Sequence, residues 1–347
     1  MISPDLNIFF SLLSSFLITY LAIPKLIYFA KKLSLLDTAG DRSSHKGGTP
    51  FFGGIAIFTG IICSLLFWAD IENIQYILVS ILIVFIVGII DDLRQITAFK
   101  KLMGQIIATL ILIFIGDIQI DSMHGVLGVY DLPIWIGTFF TVFVVIVITN
   151  GFNLIDGIDG LAGGVGVISS FSFGVIALLM EQTDMALISF TLMGALFGFL
   201  KYNVFPARIF MGDTGSLVVG MILSILAINC IQYGLVTETF KLPNKGPLLA
   251  ISFLAIPLFD SLRVFIIRSI KGNGPLFAGR DHIHHALLDL GYGHKYTSII
   301  LCAISVFLIL GSSFLLEYNV NVSIAVLAAV SYLVLFITFY ILKSRSK

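Results

Sequence analysis

Charge is scarce in this sequence, because only 12% of its 347 residues are Asp, Glu, Lys or Arg, whereas 58% are hydrophobic. The mean hydropathy is +1.05. A soluble domain of this length needs far more charge to cover its surface, so that class is excluded. Cysteine is also rare: Cys63, Cys230 and Cys302 lie singly in apolar runs, which implies neither a thiolate metal site nor a disulfide. No run alternates apolar and polar residues as an outer-membrane strand does.

What the chain does have is a series of long apolar runs. Runs of about 17–25 residues are enough to cross roughly 30 Å of hydrocarbon. They predict an all-α integral membrane protein with about eleven transmembrane helices, forming one polytopic membrane domain over residues 1–347. The expected spans are 5–24, 51–69, 74–90, 102–118, 133–149, 160–180, 185–200, 214–231, 247–267, 298–316 and 322–342.

The placement of the basic residues orients these helices. If the amino terminus faces outward, eighteen of the twenty Lys and Arg lie in or beside inward segments, and only Lys241 and Lys245 lie outward. Membrane proteins keep their basic residues on the cytoplasmic side, so the carboxyl terminus is expected to be cytoplasmic. The first run lacks the basic start and the cleavage site of a signal peptide, so we expect a retained helix.

Four polar clusters follow helix ends that this topology places on the cytosolic face. Their sequences are "GIIDDLRQITAFKK" (88–101), "NGFNLIDGIDGLAGG" (150–164), "ARIFMGDTGS" (207–216) and "GRDHIHHALLDLG" (279–291). Because successive loops of a multi-pass protein alternate between the two faces of the membrane, the four clusters could have been divided between both faces. Their convergence therefore predicts a functional site at the cytosolic membrane surface.

Carboxylates and amides dominate the first three clusters. Asp91 and Asp92 are adjacent at the negative carboxyl end of a helix, and their mutual repulsion favours a bound cation. Oxygen ligands without cysteine favour Mg²⁺ or Mn²⁺ over zinc. A purely structural explanation competes with metal binding at each position. The Asp91–Asp92 pair could be a solvated helix end, residues 150–164 a Gly/Asn/Asp turn, and Asp213 an ordinary N-cap.

The fourth cluster is rich in imidazoles and cations. It contains His282, His284 and His285, and Arg268, Lys271 and Arg280 belong to the same region. Cations and imidazoles facing a carboxylate-bound metal are typical of a phosphate clamp. The alternative is a zinc site, which would indicate a zinc-dependent membrane hydrolase.

A multi-span transporter or channel is the alternative from a different class. Such proteins place charged residues near the bilayer midplane, whereas most acidic residues here cluster at helix ends. Asp260 is the exception, since it lies within the ninth predicted span, three residues before Arg263. An ion pair between these two residues is the favoured interpretation, and a site role for Asp260 competes with it.

The motifs together resemble a known family. They are "SSHKGGTPFFGG", the Asp91–Asp92 pair, "NGFNLIDGIDGLAGG", "FMGDTGSLVVG" and "HIHH", and the resemblance covers essentially the full chain. In this order they resemble the polyprenyl-phosphate N-acetylhexosamine-1-phosphate transferases, integral membrane enzymes that move a sugar-1-phosphate from a UDP-sugar to a lipid phosphate. The resemblance implies a UDP-sugar donor, undecaprenyl phosphate as acceptor, surrounding membrane lipids, Mg²⁺, and the bacterial inner (cytoplasmic) membrane. A homodimer is compatible with it, and no nucleic acid is expected.

Two positions distinguish branches of that family. The phospho-MurNAc-pentapeptide transferases of peptidoglycan synthesis have a DDxxK pattern and an HHHHE-type motif, whereas this chain has Gln95 at the lysine position and Ala286 after "HIHH". Eleven spans rather than ten also favour the WecA/TagO-like GlcNAc-1-phosphate transferases. That branch starts lipopolysaccharide O-antigen, enterobacterial common antigen or teichoic acid chains. A muramyl donor remains the alternative.

The resemblance also implies roles for individual residues. Asp91 and Asp92 would be the acidic catalytic pair, one of them a metal contact or the base acting on the lipid phosphate. Asp213 would be the principal Mg²⁺ ligand, with Asp92 as a further metal ligand. The implied substrate-binding residues are Asn150, Asn153, Asp156, Asp159, Arg268, His282, His284, His285, Lys46 and Lys100.

Two mechanisms fit this inventory. A lipid phosphate is a ready nucleophile near neutral pH, since its second pKa is about 6. Direct in-line attack on the donor diphosphate is therefore the favoured mechanism, with charge neutralisation as the main catalytic task. The alternative is a double displacement in which Asp92 or its neighbour first takes the phosphosugar. The sequence leaves both open.

Overall fold

The computed structural model describes residues 4–33, 48–233, 235–236, 241–270 and 282–345, and nearly all of them are helical. The helices are α1 (Pro4–Lys32), α2 (Gly53–Trp68), α3 (Ile71–Arg94), α4 (Ala98–Phe114), α5 (Ile134–Ile155), α6 (Leu161–Leu179), α7 (Thr183–Asn203), α8 (Gly212–Tyr233), α9 (Gly246–Phe253), α10 (Ala255–Ile270), α11 (Ile283–Asp289), α12 (His294–Ser313) and α13 (Val320–Arg345). Two short 3₁₀ turns are Val126–Gly128 and Pro243–Lys245. Two two-residue strands, Leu235–Val236 and Lys241–Leu242, pair antiparallel.

Seven of the helices in the described part of the chain are long and apolar enough to cross a membrane, and an eighth crossing forms if α9 and α10 count as one bent span. The protein is therefore an all-helical, multi-pass membrane protein. Each of the eleven predicted spans coincides with helix, but α2, α4 and α13 are not among those seven or eight. α2 has 16 residues and α4 has 17, about 24–26 Å at 1.5 Å per residue, which is short for a perpendicular crossing.

The ninth predicted span, 247–267, is not one straight helix. α9 and α10 meet at an angle of 79°. α9 ends at Phe253, and Leu254 leaves the helical conformation before α10 begins at Ala255. Pro257 falls in the first turn of α10, where its missing N–H disturbs no intrahelical hydrogen bond. The chain therefore bends at Leu254 rather than continuing across.

α8 is the central helix of the bundle. It is buried along almost its whole length and packs against α2, α3, α5 and α9. Because it is apolar on every side, it is suited to the interior rather than to a lipid-facing position. Its amino terminus, which carries Gly212 and Asp213, is thereby placed at the centre of one face of the bundle.

Glycines let neighbouring helices approach that terminus closely. A Cβ at Gly54 of α2 would lie 2.1 Å from the backbone nitrogen of Gly215, and one at Gly88 of α3 would lie 2.5 Å from the Cα of Thr214. The first turn of α2 is joined to the segment before α8 by backbone hydrogen bonds, Gly53 N to Phe210 O (2.9 Å) and Gly54 N to Met211 O (2.8 Å). α2 and α3 therefore converge on the start of α8.

Candidate active site

Asp92 binds the amino terminus of α8. Its carboxylate accepts hydrogen bonds from the backbone amides of Asp213 (2.8 Å) and Thr214 (3.0 Å) and from the Thr214 hydroxyl. This is an N-cap supplied by a different helix, in which the anion also faces the positive end of the helix dipole. Gly212 has φ +72°, and a Cβ there would lie 2.8 Å from an Asp92 carboxylate oxygen. Gly212, the first glycine of "MGDTG", is thus needed for the close approach of Asp92 to the start of α8.

Lys101 links the two other carboxylates of this region. Its ammonium lies 2.5 Å from the buried Asp91 carboxylate and 3.0 Å from that of Asp213. Asp91 also accepts a hydrogen bond of 2.8 Å from the backbone amide of Ile96, which follows the left-handed residue Gln95 (φ 48°) that ends α3. Asp91, Asp92 and Asp213 therefore come together, as the sequence predicted, but with a lysine between two of them.

Asn153 completes one side of the cluster. Its amide donates hydrogen bonds to the Asp213 carboxylate and to the Ser216 hydroxyl, the latter at 2.7 Å. Asn150 lies one helical turn earlier on α5. Its side-chain amide donates to the Gln105 side chain of α4 at 3.0 Å and to the carbonyl of Ile146 at 2.8 Å. Asn153 therefore contacts the predicted metal ligand directly, whereas Asn150 joins α5 to α4.

Asp156 follows the last residue of α5 and approaches the same turn of α8. Burial, and then the charges of Asp213 and Asp92, raise the pKa of the Asp156 carboxyl well above its usual value, while a hydrogen bond with the Gly212 backbone opposes the rise. No cationic side chain offsets the Asp156 charge within the described residues. We call Asp91, Asp92, Asp156 and Asp213 the acidic cluster. Its four carboxylates share one described cation, Lys101.

Asp159 lies three residues further on but faces a different environment. One carboxylate oxygen accepts from the Ala207 amide at 2.9 Å, and the other lies 3.1 Å from Nδ1 of His294. The Ser298 hydroxyl donates to the Asp159 carbonyl at 2.6 Å. Asp159 therefore connects the α5–α6 loop to α12 and to the segment before α8. The predicted substrate contact of Asp159 stays a prediction, and the observed contacts favour a positioning role.

A second charged cluster surrounds Asp260, which is completely buried. Arg263 lies 3.1 Å from one carboxylate oxygen, which also accepts from the Ile283 amide at 3.0 Å. Nδ1 of His282 lies 2.9 Å from the other oxygen. The predicted ion pair between Asp260 and Arg263 is thus confirmed. The cluster anchors the start of α11 to α10, which the sequence did not suggest.

The histidine motif reaches the Asn/Asp/Gly loop through His284. The His284 ring packs so closely on Gly157 that a Cβ there would lie 2.6 Å from Nε2. Burial and the neighbouring His285 lower the pKa of His284 to about 3, so this side chain is neutral at physiological pH. Its Nδ1 is buried without a hydrogen-bond partner. The His285 ring contacts the His284 ring in a tilted arrangement, with ring centres 4.3 Å apart, and Arg268 is buried on α10.

Lys100, a predicted substrate contact, and its neighbour Lys101 lie in different environments. Lys100 is exposed, while its neighbour Lys101 points into the acidic cluster. Lys101 was not singled out from the sequence, because two adjacent lysines after an inward helix end are sufficiently explained by the charge rule. Their roughly 100° separation around α4 decides which of them faces inward. Lys46, Lys271 and Arg280 lie outside the described residues.

The donor set at the acidic cluster suits a hard divalent cation. Carboxylate and amide oxygens from Asp156, Asp213 and Asn153 are the ligands that Mg²⁺ prefers, and Lys101 already places a positive charge between Asp91 and Asp213. The described residues do not form a ready-made group of three or more His, Cys, Asp or Glu for a metal. Mg²⁺ commonly takes one or two carboxylates and completes its shell with substrate phosphate and water, so these residues fit it.

Comparison with known proteins agrees with this geometry. The sequence model of glycosyl transferase family 4 matches residues 74–231, which include all four members of the acidic cluster. The chain is 32% identical over 290 residues to a probable undecaprenyl-phosphate N-acetylglucosaminyl 1-phosphate transferase of Bacillus subtilis (strain 168), covering 82% of this chain and 78% of that protein.

Two further relatives extend the likeness. An undecaprenyl-phosphate alpha-N-acetylglucosaminyl 1-phosphate transferase of Escherichia coli (strain K12) is 28% identical over 343 residues, which are 97% of this chain and 91% of the relative. A decaprenyl-phosphate N-acetylglucosaminephosphotransferase of Mycobacterium tuberculosis is 29% identical over 316 residues, 83% of this chain and 78% of the relative. The chain belongs to glycosyl transferase family 4, among the polyprenyl-phosphate sugar-1-phosphate transferases.

Proposed function

We propose that this enzyme transfers N-acetylglucosamine 1-phosphate from UDP-GlcNAc to undecaprenyl phosphate, giving a lipid-diphosphate sugar and UMP. The names of its relatives support both the GlcNAc-1-phosphate group and the polyprenyl phosphate acceptor. They do not favour the muramyl donor or the transporter considered from the sequence. The step begins a cell-surface polysaccharide in the bacterial inner membrane.

The observation that carries the proposal is the charge imbalance of the acidic cluster. Four carboxylates converge on the first turn of α8, and the ammonium of Lys101 is the cation that the described residues supply to them. Such a cluster repels a diphosphate unless further positive charge is added. Mg²⁺ bound by Asp213 and Asp156, with Asn153 beside them, would neutralise the cluster and the donor diphosphate together.

Asp92 is assigned to positioning in this scheme rather than to the metal. Its two oxygens accept three hydrogen bonds from Asp213 and Thr214. This arrangement fixes the backbone of the residue that carries the predicted Mg²⁺ ligand. Because Asp92 holds Asp213 in place, its removal would weaken the site even without direct metal contact.

The chemical step is an exchange of one diphosphate for another. An oxygen of the lipid phosphate forms a bond to the phosphorus that carries the sugar, and the bond from that phosphorus to the bridging oxygen breaks. The electron pair leaves on UMP. Since an anion attacks an anion, the barrier is mainly electrostatic, and Lys101 is positioned to offset charge on the attacking phosphate once it releases Asp91 or Asp213.

The contacts favour direct attack over a covalent phosphosugar-enzyme intermediate. A nucleophilic carboxylate needs an oxygen free to reach phosphorus. Asp92 caps α8 with both oxygens, and Asp91 is buried between the Ile96 amide and Lys101. The base that removes the last proton from the lipid phosphate, where one is needed, is more readily Asp91, which shares Lys101 with the site.

The nucleotide side of the site is proposed to lie toward α10 and α11. His284 is held against Gly157, one residue from Asp156, and has a free ring nitrogen. Since His284 is neutral, it can donate or accept one hydrogen bond without adding charge. Arg268, His282 and His285 are proposed to contact the donor phosphates, with His282 held in orientation by Asp260.

The membrane arrangement supports the two-substrate reaction. We propose that the predicted eleven crossings hold, with the amino terminus outside and the acidic cluster at the cytosolic surface, where the basic residues concentrate. A polyprenyl chain stays in the bilayer, while a UDP-sugar is dissolved in the cytosol. A site at this interface serves both, and the tail is expected to lie in apolar grooves between the helices.

UMP release tests the proposal. Purified enzyme in detergent is incubated with undecaprenyl phosphate, Mg²⁺ and, in separate reactions, UDP-GlcNAc, UDP-GalNAc or UDP-MurNAc-pentapeptide. We expect UMP from UDP-GlcNAc, with loss of the signal after EDTA and recovery with excess Mg²⁺. UMP from the muramyl donor alone would overturn the assigned sugar, and UMP release that is insensitive to EDTA would overturn the metal.

A further inference from the structure

Lys245 is a buried cation on the face of the bundle opposite the acidic cluster. It immediately precedes α9, and its exposed fraction is only 7%. Residues next to Lys245 line a cavity near Tyr130 and Tyr318, beyond the far ends of α5 and α8. Because α8 has 22 residues, this cavity lies about 33 Å from the catalytic face. Lys245 is therefore unrelated to the phosphoryl-transfer chemistry.

Among the described residues, no carboxylate lies within ion-pairing distance of the Lys245 ammonium. It donates to the backbone carbonyl of Tyr318, and none of the ion pairs formed by described residues includes it. An ammonium has three N–H donors, so two remain for a ligand. Burial also lowers the pKa of the Lys245 ammonium. A buried charge of this kind is expected to be paired in the working molecule.

The cavity around Lys245 is a built structure. It has a volume of about 340 Å³ and is lined by polar groups that include His124, Asn244, Glu317 and Asn319. Asn321 of α13 fixes the 120–131 loop, because its side chain accepts from the Leu127 amide (2.6 Å) and donates to the Gly125 carbonyl (2.9 Å).

The loop that closes this cavity holds two unusual backbone conformations. His124 and Leu127 both have positive φ, 50° and 55°. Non-glycine residues keep such conformations only where the surrounding structure imposes them, and they are frequent at ligand sites. The Nε2 atom of His124 is also buried without a hydrogen-bond partner. The loop is therefore held in a shape that presents polar groups to the cavity.

An apolar cavity of about 230 Å³ lies beside the polar one. Three chain segments contribute residues to both cavities. The apolar cavity is lined by Met123, Val126, Pro247 and Ile324. The polar cavity is lined by His124, Lys245 and Val320 of the same segments. The apolar cavity continues between α5 and α10 toward the membrane interior, past Ile148 and Leu258. A charged cavity next to an apolar cavity is suited to bind an amphiphilic molecule rather than a free ion.

We propose that this pair of cavities binds a membrane phospholipid of the leaflet opposite the active site. The lipid phosphate pairs with the Lys245 ammonium, and one acyl chain occupies the apolar cavity. Glu317 at the rim disfavours additional negative charge on the headgroup, since it lines the same cavity. The site is independent of the sugar-phosphate transfer and would exist even if the donor assigned above were wrong.

Lipid titration of the purified full chain tests the site. Short-chain phosphatidylglycerol is titrated in a nonionic detergent, and bound lipid is counted by native mass spectrometry. We expect saturable binding of one lipid. Lys245→Met should weaken its affinity at least about tenfold, and Lys245→Arg should change the affinity by less than about threefold. The reason is that removing one partner of a desolvated charge pair costs more than replacing it with a residue of the same charge. Glu317→Gln is expected to tighten binding of this anionic lipid.

Two further arms separate the headgroup from the tail. Inorganic phosphate and short-chain diacylglycerol each supply half of the ligand, and both are expected to bind much more weakly than the intact lipid. Ile251→Trp, which fills the apolar cavity, is expected to weaken lipid binding, whereas the matched Ile251→Val is not. Inorganic phosphate binding as well as the lipid would overturn the lipid assignment. Equal lipid binding by wild type, Lys245→Met and Ile251→Trp would overturn the site.

Discussion

The acidic cluster and the Asp260 cluster both place aspartates beside a basic side chain, but they differ in charge balance. Asp260 is fully buried and is matched by Arg263, by His282 and by a backbone amide. In the acidic cluster, Lys101 contacts two of the four carboxylates, and burial together with the charges of Asp213 and Asp92 raises the pKa of Asp156. The matched Asp260 carboxylate holds helices together, whereas we propose that the unmatched set takes up a cation from outside the protein. The charge deficit, rather than the presence of aspartates, identifies the site.

The largest expected effect is on Asp213. Asp213→Asn keeps the shape and can still contact Asn153, but it removes the charge that a metal needs. We expect UMP release to fall by about 10³-fold with the melting temperature nearly unchanged. The matched control is Asp184→Asn, a half-buried carboxylate in the first turn of α7 that accepts a hydrogen bond from the Asn73 side-chain amide at 2.9 Å. If Asp213→Asn retained more than a tenth of the activity, the metal role of this residue would be wrong.

Lys101 and Lys100 form a natural pair for the next comparison. Lys101→Met should reduce turnover by about 10²-fold, because it removes the cation that the described residues supply to the cluster. Lys100→Met should change turnover by less than about threefold, since that side chain is exposed at the surface. Turnover is measured as UMP release at saturating donor. Equal losses would restore the sequence-based choice of Lys100 as a phosphate contact.

Asp156 and Asp159 should respond in opposite directions. Asp159→Asn weakens the contacts to His294 and the Ala207 amide, and we expect it to lower the free energy of unfolding by about 3 kcal/mol while folded enzyme stays active. Asp156 has a raised pKa, so its contribution to stability is lost as pH rises above the ordinary value of 3.8. Asp156→Asn should therefore stabilise the protein at pH 8 by about 1 kcal/mol and abolish turnover.

Thermal unfolding together with UMP release measures both responses. The comparison fails if Asp156→Asn is destabilised at pH 8, which would mean that this carboxylate is already neutralised in the folded protein. It also fails if folded Asp159→Asn is inactive, which would favour the predicted substrate contact of Asp159 over its positioning role.

The smallest effect concerns His284. Its pKa is about 3 in the folded protein and 6.5 when exposed, so below pH 6.5 the unfolded chain takes up a proton that the folded chain excludes. Stability contributed by neutral His284 is therefore present above pH 6.5 and lost as pH falls. His284→Gln should reduce the loss of stability between pH 6.5 and 5 by about 1 kcal/mol. An unchanged pH profile of the melting temperature would show that His284 is protonated in the folded state.

Much of this organisation could be predicted from hydropathy and charge placement. Each predicted span coincides with helix, and Asp91, Asp92, Asn153, Asp156 and Asp213 converge as their positions at helix ends suggested. The helix inference succeeds because the bilayer restricts a spanning chain to helices. The orientation that the charge rule gives those helices stays a prediction.

The remaining features depend on contacts that sequence order does not encode. Lys101 rather than Lys100 enters the cluster because of the rotation of α4. Asp159 differs from Asp156 because it contacts His294 and the Ala207 amide, which are distant from it in the sequence. The bend at Leu254 also escaped prediction, since the run 247–267 is apolar throughout its first half and carries only one proline near the break. Packing partners, not local composition, decide these points.

Binding of Mn²⁺ to the purified enzyme, followed by electron paramagnetic resonance, tests the charge-deficit account most directly because it needs neither substrate nor turnover. The account predicts one Mn²⁺ bound by the wild-type enzyme and by Asp184→Asn, displaced by excess Mg²⁺, and lost in Asp213→Asn and Asp156→Asn. Mn²⁺ binding that is equal in all four proteins, or absent from the wild type, would contradict the assignment of the acidic cluster as the metal and diphosphate site.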